Sequence, residues 1–189
     1  MENSLFWKKA LRGGAIVGLL LAVSFMLETR MMLAGSFGLY ALEWFLVAVL
    51  HYYLLHRFTR SYSATFPVEE GFRFGRGYGF VLSMSVVAGV IVGLVQYLYL
   101  HLFIGYEHYT GRVADALTEM LSRGGGVPAS MESVISQSMK QIENAPEPSF
   151  LSTVWAGTFS SLLFGLLFGL IIAGVLSRAP RPFDEQPEA

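Results

Sequence analysis

The sequence predicts an all-α integral membrane protein of four transmembrane helices, with an extracytoplasmic helical hairpin between the third and the fourth. Three observations carry this. Hydrophobic residues make up 53% of the 189 and charged residues 14%, against the roughly 25% charge of ordinary soluble chains. Two stretches, Gly77 to Tyr106 and Ser149 to Ser177, hold no Asp, Glu, Lys or Arg. Each exceeds the roughly 20 residues that cross a bilayer as a helix. The basic residues, finally, are spread unevenly over the connecting segments, as they are where loops alternate between the two faces of a membrane.

The first span has the shortest uncharged run, Gly13 to Leu27, a length between a signal-peptide core and a full crossing. A cleaved signal peptide, with Lys8, Lys9 and Arg12 as its basic start, is the competing reading. The Gly13-Gly14 opening and the later Glu28 and Arg30 make an unusual cleavage region. They favour a membrane helix over about residues 10–33, its charged end reaching toward the interface. The second span covers about 38–56 and carries Glu43 inside it. The third covers about 78–104 and the fourth about 151–176.

Residues 105–150 are not apolar enough to cross. Val113, Ala116, Leu117, Met120 and Leu121 keep helical spacing, and so do Met131, Val134, Ile135, Met139 and Ile142. Gly124-Gly125-Gly126 and Pro128 separate the two runs, so the segment reads as a helical hairpin. Pro146 and Pro148 end its second helix. The tail 179–189, with Pro180, Pro182 and Pro187, reads as disordered. All of this forms a single membrane domain over 1–189.

Nine basic residues lie in the N-terminal segment, the 57–77 loop and the tail; the opposite side has four, Arg30, Arg112, Arg123 and Lys140. The positive-inside rule then puts both termini in the cytoplasm and residues 105–150 outside. Aromatic residues suit interfacial belts: Tyr52, Tyr53, Phe58 and Tyr62 inside, Tyr97, Tyr99, Tyr106 and Tyr109 outside.

A basic Trp7-Lys8-Lys9 start and a Phe72-Arg73-Phe74-Gly75 lead-in to the third span recur in order with other motifs. These are Met-bearing loop helices ending near Pro146, and Leu176-Ser177-Arg178 followed by Arg181-Pro182-Phe183. In this order and spacing the chain resembles the uncharacterised four-helix inner-membrane proteins of Bacteroidota grouped as domain-of-unknown-function family 4199. Gly77 stands where that family has Ala. The resemblance implies a Gram-negative inner membrane and brings no known activity or catalytic residue.

Small residues recur every fourth position in three spans: Ala10, Gly14, Gly18 and Ala22; Ser85, Gly89 and Gly93; Gly157, Ser161, Gly165, Gly169 and Ala173. Such stripes let helix backbones approach, since lipid offers no hydrophobic drive for helices to associate. Packing within the monomer is one use, and binding a partner helix or a second copy is the other. Glu43 lies about two turns inside its span, where a carboxylate is costly unless paired, protonated or hydrated. Arg30 precedes Gly35 by five residues and Glu43 follows Gly38 by five, so a tight hairpin sets them at similar depth as a candidate buried ion pair. A proton or substrate role for Glu43, or a simply interfacial position, remains open.

His51 and His56 are five apart and His101 and His108 seven, neither of which is the i, i+4 spacing of a helical metal pair. They read as interface residues, with Gln96 and His101 able to hydrogen-bond Glu43 or a headgroup. The glycines of Gly71–Gly79 mimic a phosphate loop but lack its lysine-plus-hydroxyl ending. Arg73 and Arg76 there suit anionic lipid headgroups, a phosphorylated polyprenyl lipid being the sharper variant.

No catalytic motif, cofactor motif or metal cluster is present in the sequence, and the absence of cysteine excludes thiolate chemistry and disulfides. A net charge of −1 gives no electrostatic reason to expect nucleic acid. The expectation is a non-enzymatic inner-membrane protein of unknown biochemical activity, an accessory or scaffolding subunit packing with another membrane protein or with lipid. Two alternatives stand beside it. One is a small oligomeric transporter or channel using Glu43, for which no inverted repeat is visible. The other is a membrane partner of a polyprenyl-phosphate glycosyltransferase.

Overall fold

Four long apolar segments become four long helices, because a chain in lipid must satisfy its backbone hydrogen bonds within itself. A computed structural model of the chain describes residues 2–34, 36–122, 133–134, 136–137, 140 and 146–179. Helix α1 spans Glu2–Leu33, α2 Phe37–Ser63, α3 Phe74–Leu98, α4 Tyr106–Ser122 and α5 Phe150–Leu176. The described residues contain no strand, and α1, α2, α3 and α5 are each long and apolar enough to cross a membrane. α1 starts at Glu2, before the span expected from residue 10, because the backbone helix runs on through the basic start. α3 continues into a π-helical segment, Tyr99–Ile104, which ends at Gly105 with φ 85°. That left-handed angle favours glycine and turns the chain into α4.

α4 supplies the first helix of the expected hairpin. It returns over the end of α1, where Arg112 Nη2 donates to the Leu33 carbonyl at 2.9 Å. Most of the second hairpin helix, the Gly124–Gly126 turn and the tail from Pro180 lie outside the described residues.

α3 is the centre of the bundle, with α5 on one side and α1 on the other. The small-residue stripes make both contacts. A Cβ added at Gly14 would lie 2.7 Å from the Met84 carbonyl oxygen, and one at Gly18 would lie 2.9 Å from Ala88 Cα. On the other side, Gly89 faces Thr158 and Gly157, Gly93 faces Val154, Gly165 faces Ser85 and Gly169 faces the Tyr78 ring. Ser161 is buried against Gly89. The stripes are therefore consumed inside the monomer. α2 is held much more loosely and exposes Leu39, Leu42, Trp44, Phe45, Leu46 and Val49.

The aromatic core sits at the end of the bundle that carries the N-terminus. Tyr62 and Phe80 stack at 4.3 Å, and Phe66 and Phe72 pack around them. Tyr62 is thus core and not belt, and Tyr99 is likewise buried. Two of the sequence motifs meet here. Phe72 and Arg178 exchange a pair of backbone hydrogen bonds at 2.9 Å, clamping the lead-in of α3 to the end of α5. The Arg178 guanidinium donates through Nη2 to the carbonyls of Ser63 and Phe66.

Candidate functional site

Loose packing of α2 leaves a cavity of about 370 Å³ among the four membrane helices. Helical periodicity builds its walls. α1 contributes Leu21, Ser24, Phe25 and Glu28; α2 contributes Trp44, Val47, Ala48 and His51. Both sets follow i, i+3, i+4, i+7, one face of each helix. Gln96 projects from α3, and Ser160, Ser161 and Phe164 from α5.

At its rim three polar side chains meet. The Ser24 hydroxyl donates to Glu43 Oε1 at 2.6 Å and lies 3.4 Å from Glu28 Oε1. A hydroxyl has one hydrogen, and the short contact claims it. Towards Glu28 the serine oxygen is left as an acceptor, a contact that is satisfied when Glu28 carries a proton. The two carboxyl groups are thus brought together at one hydroxyl. Further in, His51 is only 4% exposed. Its Nε2, together with Ser161 Oγ and Glu43 Oε2, is buried without a hydrogen-bond partner among the described residues. Phe164 and Phe168 flank the imidazole.

The Arg30–Glu43 pair expected from the hairpin is not formed. Arg30 Nε donates to the Tyr99 hydroxyl at 3.3 Å, while Glu43 is held by Ser24. Similar depth is not enough. Glu28 is four residues past Ser24 and shares its face, whereas Arg30, two residues further, points away around the helix. His101 is also elsewhere: its ring stacks on Tyr97 at 4.0 Å and its Nε2 lies 3.1 Å from Glu147 Oε1. Gln96 does reach the cavity.

Arg73 is exposed at the start of α3. Arg76 is drawn back, its guanidinium 4.4 Å above the Phe66 ring, a cation–π contact. Beyond the spans, Tyr109 of α4 touches Met32 Sδ, and its phenol is pushed above the ordinary value by burial and then by the charges of Tyr40 and Glu28. No group of three or more His, Asp or Glu with metal-ligand geometry occurs among the described residues.

Ser24, Glu28 and His51 were not picked out as a site by sequence reasoning, although the pattern was present. Ser24–Glu28 is an i, i+4 pair on an apolar helix, and His51 follows Glu43 by eight residues, on the same side of α2.

Comparison with known proteins adds one match. A family model described as "Protein of unknown function (DUF4199)" covers residues 12–178. No curated protein and no solved structure matches the chain.

Proposed function

The chain belongs to that family, and from this premise we propose that it is a small inner-membrane transporter or channel subunit that binds a proton or another cation at Glu28, Ser24 and Glu43. One observation carries the reading. Two carboxyl groups of different helices share one hydroxyl beside a cavity inside a membrane bundle. Two negative charges that close, in a poorly hydrated place, repel each other strongly. A proton or cation between them removes the repulsion, and its loss restores it. Such a pair responds to loading and unloading. Four helices are too few to enclose a path, so the working unit is an oligomer, with both termini in the cytoplasm as the nine-to-four basic bias implies.

An apolar carbodiimide tests this, because it adds only to protonated carboxyls in apolar surroundings. In detergent micelles at mildly acidic pH, peptide mass spectrometry is expected to find the adduct on Glu28 or Glu43 and not on the exposed Glu69 and Glu70. Labelling should fade as pH rises. An intact protein with no adduct at either residue would refute the reading. In proteoliposomes, an imposed pH gradient should decay more slowly with Glu43→Gln than with wild type; equal decay would count against transport.

The accessory-subunit reading is favoured by a different observation, the broad apolar face that α2 leaves uncovered. In that reading α2 docks on another membrane protein, and a polyprenyl-phosphate glycosyltransferase is one such partner. The lipid-phosphate argument for that partner now rests on Arg73 more than on Arg76, which is engaged with Phe66. Affinity purification in mild detergent discriminates: a stoichiometric foreign membrane protein supports docking, and self-association alone supports the transporter.

A further inference from the structure

A second cavity, of about 500 Å³, opens between α1 and α2 at the end that carries the N-terminus. Its composition is ordered along the membrane normal. Lys9 and Arg12 lie one turn apart on α1, and Arg57 and Ser61 face them from the end of α2. Deeper in the bundle, one turn past Arg12 on α1 and nearly one turn before Arg57 on α2, come Ile16 and Leu54. Phe58 and Phe80 form the back wall. Three cations thus stand above an apolar slot.

Among the described residues, no carboxylate lies within ion-pair distance of Lys9, Arg12 or Arg57. Lys9 Nζ donates to the Ser61 carbonyl at 2.9 Å, which fixes the ammonium at the mouth and leaves two of its three hydrogens. Arg12 and Arg57 are exposed. Three cations from two helices that line one groove, with no described carboxylate in ion-pair reach, match a phosphate, whose oxygens accept several charge-assisted hydrogen bonds at once. The slot beneath matches a hydrocarbon chain.

We propose that this groove binds the phosphate of an anionic membrane lipid, whose chain lies along Ile16 and Leu54. The site is separate from the carboxyl cavity and stands or falls independently of it. It also differs from the Arg73–Arg76 segment that sequence reasoning had favoured for headgroups. There the side chains start a helix on the surface; here they converge on a slot. Bound lipid would bridge α1 to α2, the least tightly packed of the four long apolar helices, and so would hold one wall of the carboxyl cavity in place.

The test uses full-length protein, delipidated in detergent, and native mass spectrometry with phosphatidic acid as probe. Wild type should retain one tightly bound phosphatidic acid and no comparable phosphatidylcholine. The triple variant Lys9→Gln, Arg12→Gln, Arg57→Gln should bind it roughly a hundredfold more weakly, since each cation near a lipid phosphate contributes a several-fold factor. The double variant Lys8→Gln, Arg60→Gln removes two exposed charges at the same end outside the groove and should bind like wild type. Glycerol 3-phosphate, the headgroup without its chains, should not compete at matching concentrations. Equal loss in both variants would mean diffuse surface charge and overturn the site. Unchanged binding in the triple variant, or equal competition by glycerol 3-phosphate, would overturn it as well. Should the triple variant fail to fold, Arg12→Gln alone serves, with a several-fold loss expected and no loss refuting the proposal.

Discussion

Replacing Gly89 by alanine adds one methyl where an added Cβ comes nearest to the backbone of a neighbouring helix. That methyl would stand 2.5 Å from Thr158 Cα and 2.8 Å from the Gly157 carbonyl oxygen. Carbon–carbon contacts settle at about 3.5–4.0 Å, so α3 and α5 would have to part by about 1 Å. Both neighbours are backbone, so no rotamer change relieves the clash. Parting the helices also loosens Gly93 against Val154 and Gly157 against Gly93, which meet on the same stripe. Overpacking of this kind costs about 1–3 kcal/mol, and the absence of any yielding side chain puts Gly89→Ala toward the upper end. Alanine's better helix propensity offsets up to about 1 kcal/mol, leaving a net loss of about 2 kcal/mol. Gly174→Ala is the control. It lies on α5 with nothing within 4 Å of an added Cβ, so it should show the propensity gain alone. Unfolding by dodecyl sulfate titration in mixed micelles, followed by circular dichroism, measures both. If Gly89→Ala unfolds at the same detergent fraction as Gly174→Ala, the interface does not have the closeness described and the reasoning fails.

Two further predictions follow from the membrane-embedded polar group and from the charge distribution. Arg30→Met and Glu43→Gln should have additive effects on stability because the two residues do not touch, whereas Ser24→Ala and Glu43→Gln should couple by about 0.5–3 kcal/mol through their short hydrogen bond; the reverse pattern in double-mutant cycles would reinstate the Arg30–Glu43 pair. The chain has no cysteine, so single cysteines at Glu69 and Asp115 report topology cleanly. In spheroplasts an impermeant thiol reagent should label position 115 and spare 69, and the opposite result would invert the proposed orientation.

Much of this protein is determined by sequence alone. Four apolar runs in 189 residues can only satisfy their backbone hydrogen bonds as helices once water is absent, so the number and rough extent of the spans follow from composition. The stripes at Gly14–Gly18, Gly89–Gly93 and Gly157–Gly169 also announce close packing, because small residues at every fourth position share one helix face. What they pack against does not follow from spacing. Only the tertiary structure decided that α3 takes both α1 and α5, leaving α2 loose and a cavity beside it. It also decided that Phe72 and Arg178, more than a hundred positions apart, clamp two helix ends together. The Glu43 partner illustrates the limit most clearly. Depth in the membrane can be counted along the chain, and it paired Glu43 with Arg30. Direction around the helix axis depends on how α1 rotates against α3. That rotation, set by Gly14 and Gly18 sitting on Met84 and Ala88, turns Ser24 and Glu28 toward Glu43 and sends Arg30 to Tyr99.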